Sequence, residues 1–433
     1  MSGEGAHPRA SATAEERAAH VQALIAANEA ERIDLGGTAD ARAPLSATDL
    51  AGTRMRGANL AHADLSGANL AGAFLSQADL TGAILERADA SDADLSHANL
   101  ADARLGEARL KRALLEEAVL TDANIRFADL SDAVAEAAAM ERADLWGAKL
   151  EGADFSDASL RAARIGEAFA ARADFSRADL RDTMLVGTDF ADARLIDADL
   201  RGTNLKGARL AGADLSGARL NDVDLSSCNL AGTRWNRARL ERTLLDCAQL
   251  GDAVGEETAR DYASAAGAYV ALERNFLSLG QTQPASWAYR RKRRMQKEVA
   301  RQAMTAALRG RQPGRALGEG ARYFGDLLVE WTSDYGESVP RVLASLATLY
   351  VSFLVIYGVT GSVSRMDGVV KTVTHRPLDL AIFSLSAMTT SGTPSAYLMP
   401  TNAHTLLLSG IQALLGIFLT GLLGFVAGNR IRR

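Results

Sequence analysis

The sequence predicts two architectures in one chain: a repetitive solenoid of short extended segments, followed by an α-helical membrane module. Three observations predict it. A five-residue register runs from Leu45 to Leu250 without a slip. Val342 to Gly361 is a run of twenty uncharged residues. From Leu380 to Asn429 the chain has no Asp, Glu, Lys or Arg. A length of 433 residues suits two or three structural units, and the formal charge of −5 averages over very unequal halves.

At the N-terminus, Ser11 to Ala30 reads as a helix, with Thr13 and Glu16 at capping-box spacing before Val21, Leu24 and Ile25. This cap, residues 1–32, is expected to lid the first coil. The segment has no apolar core of the kind a secretory signal needs, so the repeats are expected to stay in the cytosol. Cys228 and Cys247 show neither metal-ligand spacing nor a disulfide framework, which suits a reducing compartment.

Residues 33–252 form the solenoid. Every position divisible by five from Leu45 to Leu250 is a repeat centre, forty-two in all, and only Ala90, Ala135 and Ala170 are small. Two residues before each centre stands Ala, Thr, Val or Cys without exception. A separation of two puts both side chains on one face of an extended segment, so these two positions point inward and the remaining three, mostly polar, turn the chain.

The repeats AHADL, SGANL, SQADL and RGTNL resemble the pentapeptide-repeat family over roughly half the chain. The resemblance implies a right-handed quadrilateral β-helix with four repeats per coil, so that residues twenty apart stack. About ten coils at the ordinary strand spacing give a rod about 50 Å long. On that geometry Ala135 lies beneath Phe155 and Ala170 beneath Phe190, a small centre under a large one that keeps the volume constant. Phe155, Phe175, Leu195, Leu215 and Trp235 fall in one column. A filled, dry interior makes the rod a scaffold or sensor and not a conduit. Asp64, Asp79, Asp94, Asp129 and Asp144 project outward, but Lys and Arg interrupt that face often, and no nucleic-acid partner is expected.

After Leu250 the period stops, and residues 253–320 are expected to form a helical hairpin cap, about Glu256 to Leu279 and Ala285 to Leu308, split by GQTQPAS. Its second arm carries Arg290, Arg291, Lys292, Arg293 and Arg294, read as a solvated helix face, as a partner for acidic residues of a neighbouring subunit, or as contacts to anionic lipid headgroups. Residues 321–340 are expected to be an interfacial helix, with Phe324, Leu327, Leu328 and Trp331 on one face.

The last unit, 341–433, has two runs that span a membrane by length, Val342 to Gly361 and Ala403 to Gly428. Arg341 precedes the first and Arg430, Arg432 and Arg433 follow the second, so the positive-inside rule puts both termini in the cytosol. The expected location is the plasma (inner) membrane of a bacterium, multi-pass. Between the runs, PLDLAIFSLSAMTTSG has Pro377 at a helix N1 position and about three helical turns ending in hydroxyls and glycine.

The order span, half-helix, Thr/Gly loop, span resembles the pore module of two-transmembrane potassium channels over about ninety residues. That resemblance implies a homotetramer with a re-entrant pore helix and a filter at Thr389, Thr390, Ser391, Gly392, Thr393 and Pro394. Against the family pattern TVGYG, Thr390, Ser391 and Gly392 take the first three places. Thr393 replaces Tyr, Pro394 replaces the second Gly, and Ser395 stands where the family has Asp. Pro394 fixes φ near −65° and lacks the glycine conformation, so the expectation is a weakly selective, cation-conducting channel for permeating monovalent cations, with no cofactor.

Gly416 and Gly421, with Gly410 and Gly424, are read as a candidate gating hinge or as sites of close helix packing. Gln412 and Thr420 are read as pore-facing or as bonding between helices. His375 and His404 are candidate pH sensors at the outer face. No nucleophile, base or metal cluster of usable spacing appears, so an enzyme is not expected. The second functional reading is a membrane-anchored, non-conducting scaffold that binds another macromolecule. The cytosolic ligand or partner is not legible in the sequence.

Overall fold

A computed structural model describes Ala23 and residues 35–37, 43–367, 370–389 and 398–432. The expected N-terminal cap helix lies outside the described residues apart from Ala23. The chain divides into two compact units, Met1–Met295 and Gln296–Arg433.

The first unit is built on a ladder of parallel bridges between residues twenty apart, from Pro44 with Asp64 to Asp224 with Leu244. This interval makes the rod four-sided, with one five-residue repeat per side. Each side carries two rungs: Leu65 N donates to Ile84 O at 2.7 Å, and Asp64 N donates to Ala43 O at 2.9 Å. Centres and the small residues two before them are buried, with Leu65, Ala63, Leu145 and Phe155 all at 0% exposure.

Nearly every corner is a turn closed by a bond of the kind Ala63 N to Leu60 O, 3.0 Å. From Ala47 to Arg242 the second corner residue lies at positive φ at every corner but that of Ser227, for example His62 at 55° and Gly212 at 73°. Gly adopts this region without strain and Asn or Asp tolerates it, whereas here Arg, Glu and His are also held there. The preceding outward Asp or Asn caps the corner, as when Asp64 Oδ1 accepts from Ser66 N at 3.0 Å and Ser66 Oγ at 2.6 Å. Buried threonines at the inward positions satisfy their hydroxyls locally: Thr188 Oγ1 donates to Ile165 O at 2.7 Å. Within their column Phe155 stacks on Phe175 at 5.1 Å and 10°, and Phe190 of the neighbouring column meets Phe175 edge-on at 5.6 Å.

The ladder ends at Leu244, six residues before the last sequence centre, Leu250. Cys247–Leu250 is a 3-10 turn opened by a capping box between Asp246 and Gln249. Leu250 is still buried, but no further coil exists to hold it extended. Three helices follow: α1 (Gly255–Thr258), α2 (Tyr262–Ser278) and α3 (Thr282–Arg309).

In the second unit, α4 (Pro313–Ser333) begins with proline in its first turn and ends at Asp334 in the left-handed region. It starts and stops earlier than the expected interfacial segment. Leu317, Phe324, Leu328 and Trp331 are exposed along it. Next come α5 (Val339–Thr360), capped by Ser338, and α7 (Ala403–Arg432), with the short α6 (Pro377–Thr389) between them. A three-stranded antiparallel sheet in the order β2-β1-β3 also lies between the long helices: β1 (Val363–Asp367), β2 (Val370–Val373) and β3 (Leu398–Pro400).

Candidate functional site between the apolar helices

Val339–Thr360 and Ala403–Gly428 are long and apolar enough to cross a membrane, each with an 18-residue stretch of mean hydropathy 2.1. Only 22% and 28% of these segments is buried within the chain, unlike the core helices of a soluble fold. Between them α6, with thirteen residues, is about 20 Å long and packs on both.

A chain of buried hydrogen bonds holds α6 in place. Tyr357 Oη on α5 donates to Gln412 Oε1 on α7 at 2.9 Å. Gln412 Nε2 donates to Ser384 Oγ at 2.8 Å and to Ser384 O at 3.2 Å on α6. Ser384 Oγ in turn donates to Tyr350 O at 3.3 Å, and Tyr350 Oη to Ala381 O at 3.3 Å. In an apolar surrounding each of these polar groups needs such a partner, so the network fixes the rotation of all three helices. Phe383 adds an edge-on contact with Tyr357 at 5.1 Å. At the other end of α6, Asp379 is buried, accepting from Thr374 Oγ1 at 2.8 Å and facing Arg365 at 3.3 Å, which ties the helix start to β1.

Gln412 is thus a bond between helices. Thr420 bonds back to Gly416 O at 2.8 Å within its own helix. Gly416 sits against α6, where a Cβ would collide with the main-chain oxygen of Met388, a close approach of the two helices. Around Gly421, Gly410 and Gly424 an added Cβ meets nothing within 4 Å among the described residues. Thr389 closes α6, exposed, with Oγ1 donating to Leu385 O at 2.9 Å. Thr390, Ser391, Gly392, Thr393 and Pro394, the rest of the expected filter, lie outside the described residues, as does Ser395. His375 Nδ1 lies 3.2 Å from Gly358 O, and His404 is exposed.

Two members of the basic cluster meet acidic side chains of their own chain. Arg291 reaches Glu257 at 2.9 Å and Asp252 O at 2.5 Å, and Lys292 reaches Glu273 at 2.5 Å while lying over the Tyr289 ring. Both brace α3 against neighbouring acidic residues of the same unit instead of standing free for lipid headgroups. Arg290, Arg293 and Arg294 are half-buried and also engaged.

The cap of the solenoid depends on side chains that imitate a further strand, a feature no sequence pattern announced. Asn275 accepts from Thr243 N at 3.0 Å and donates to Thr243 O at 2.9 Å. Glu256 Oε1 accepts from both Trp235 N and Asn236 N at 2.7 Å. Gln249 Nε2 donates to the carbonyls of Leu225 and Cys228 at 2.8 Å. Edge groups that a next coil would pair are satisfied this way. Burial pushes the Glu256 carboxyl above its ordinary range, a shift partly offset by backbone donors of Glu256 itself, Trp235 and Asn236, and its Oε2 has no hydrogen-bond partner among the described residues. Burial likewise pushes the free Cys228 thiol up to about 11.

The outward carboxylates are not an unopposed acidic stripe. Asp64, Asp79, Asp94 and Asp129 cap their own corners. Asp144 pairs with Arg126 at 3.1 Å, and arginines elsewhere pair one coil away, as Arg209 with Asp189 at 3.2 Å.

The family described as "Pentapeptide repeats" matches in 8 copies, over residues 41–77, 58–96, 98–134, 138–169, 158–195, 173–210, 188–226 and 224–253. Among solved structures, the chain is similar to HetL, a pentapeptide repeat protein involved in heterocyst differentiation regulation from the cyanobacterium Nostoc sp. strain PCC 7120. The identity is 26% with a TM-score of 0.30, covering 52% of this chain and 96% of that one. A pentapeptide repeat protein of the Arabidopsis thaliana thylakoid lumen is 28% identical with a TM-score of 0.21, covering 21% of this chain and 63% of that one. QnrB1, a plasmid-mediated fluoroquinolone resistance protein, is 18% identical with a TM-score of 0.16, covering 46% and 92%. No curated protein matches the chain.

Proposed function

The chain is a pentapeptide-repeat protein over residues 41–253, and from that premise we propose that its two apolar helices and the short helix between them assemble as a homotetramer into a weakly selective cation pore. The solenoid is then its cytosolic scaffold or sensor. One observation carries the reading: α6 is too short to cross a membrane, yet it is locked between two long apolar helices by the Tyr357–Gln412–Ser384 hydrogen bonds. Backbone that stops at membrane depth must be buried in protein or face water.

The chemistry follows from that position. The C-terminal end of α6 carries partial negative charge, which favours a cation beyond Thr389. Carbonyl and hydroxyl oxygens of Thr390, Ser391 and Gly392, from several copies, would replace the water of a permeating monovalent cation. Pro394 shortens that filter and weakens its selectivity. The exposed face of α4 with Phe324, Leu328 and Trp331 suits the membrane interface. No cofactor enters this reading.

The test is reconstitution of the purified protein in planar bilayers. Small-cation currents are expected, and Gly392→Trp should abolish them while leaving the tetramer intact. A monomer in detergent, or silence under every salt tried, overturns the pore and leaves the non-conducting anchored scaffold.

A further inference from the structure

A cleft of about 450 Å³ lies where α2 meets the last coil, lined by Arg237, Arg239 and Arg274 over Ala238, Val270 and Ala271. The charge pattern there is unlike the rest of the rod. Elsewhere in the same coil, Arg234 pairs with Asp214 at 3.7 Å and Arg242 with Asp222 at 2.5 Å. Arg239 stacks one coil after Arg219 instead of over a carboxylate, and Asp199 one coil earlier is taken by Arg219 at 3.7 Å and by Arg201 at 2.6 Å. Arg237 stands twenty residues after Gly217, which offers no side chain. Helix α2 then brings a third guanidinium, Arg274, to the same cleft. None of the three has an ion pair or hydrogen-bond partner among the described residues. Glu241 is the one carboxylate in the lining, and it accepts from Asn221 Nδ2 at 3.3 Å, so the lining is net positive.

We propose that this cleft binds a small organic anion, a phosphate or carboxylate carried on an apolar or aromatic body, making the solenoid–cap junction a ligand-sensing site. The size is that of a small-ligand pocket, and the floor of Val270, Ala271 and Ala238 is apolar while the rim donates hydrogen bonds in the fork geometry suited to oxyanions. The site lies wholly in the solenoid and its cap, so it stands or falls independently of any conduction by the apolar helices. Its floor is close to the cap bonds between Asn275 and Thr243, so an occupant would bear on the end of the rod.

Calorimetric titration of the full chain in detergent with AMP, inorganic pyrophosphate and adenosine tests this. Saturable binding of AMP or pyrophosphate, with none of adenosine, is expected. Arg239→Gln and Arg274→Gln should each weaken it about tenfold or more, while Arg242→Gln, whose guanidinium is committed to Asp222, should leave it unchanged. Circular dichroism and melting of the variants exclude unfolding, since all three side chains are exposed. Failure of both anions to saturate, or equal weakening by Arg242→Gln, overturns the proposal.

Discussion

Gly416 on α7 meets the main-chain oxygen of Met388, in the last turn of α6, so closely that no Cβ fits between them. The contact brings the end of the short helix against the long one, close to the start of the expected filter. Small residues at helix crossings in lipid allow such approach.

Gly416→Ala is therefore expected to force α6 away from α7, costing about 1–3 kcal/mol as overpacking does. Gly421→Ala, with open space around it, should cost nothing from packing. Thermal unfolding of both variants in detergent distinguishes them, and equal melting temperatures would contradict the contact.

Gln412→Leu removes the bridge between Tyr357 and Ser384 and leaves the buried Tyr357 hydroxyl without its acceptor, while Ser384 Oγ keeps its bond to Tyr350 O. Interhelical bonds of this kind contribute about 0.6–1.7 kcal/mol in membranes. The expected readout is a lowered melting temperature together with loss of any conductance; the double variant with Tyr357→Phe should recover part of the stability, because the orphaned hydroxyl is gone.

Glu256 supplies a pH test. Its carboxyl is raised above the ordinary 4.5 chiefly by burial, so the protonated form is favoured in the folded state. Its contribution is therefore complete below pH 4.5 and is lost as the pH rises through the folded value. Asp89 and Asp224, held below 3.8 chiefly by hydroxyl hydrogen bonds from Ser91 and Ser226, run the other way and lose stability on acidification. The difference between the wild type and Glu256→Gln isolates the first effect. Unfolding titrations should show that difference shifting in favour of the variant as pH rises from about 4.5; a flat difference would contradict it.

Inserting one residue after Asn124 should abolish folding of the rod, since in every later repeat the two inward residues would be turned outward and polar residues would take their places in the interior. Lys111→Ala, at an exposed corner, should be neutral within about 0.5 kcal/mol. Circular dichroism of the two variants checks this, and similar tolerance would rule out the stacked coil.

Legibility differed by the kind of contact. The phase of the repeat was readable because each centre, from Leu45 onward, faces the same interior and must be apolar, a constraint written again every five residues. The pairing of Phe155 with Phe175 followed from that phase once twenty residues made a coil. The positive φ at the second corner residue was also signalled, by Gly at positions such as Gly52, Gly67 and Gly212, but Arg, Glu and His in the same place disguised it. The strands β1 and β2 escaped notice because they are short and lie between longer, stronger helical signals.

By itself the sequence determined the phase of the solenoid, which residues fill it, and which two segments are long and apolar enough to span a membrane, because each depends on local pattern repeated along the chain. Only the tertiary structure decided that the ladder stops at Leu244, that Asn275 and Glu256 close it, that Arg291 and Lys292 are braces, and that Gly416 is a contact. Those outcomes rest on single pairings between residues far apart in the chain. A pairing made once leaves no period to read.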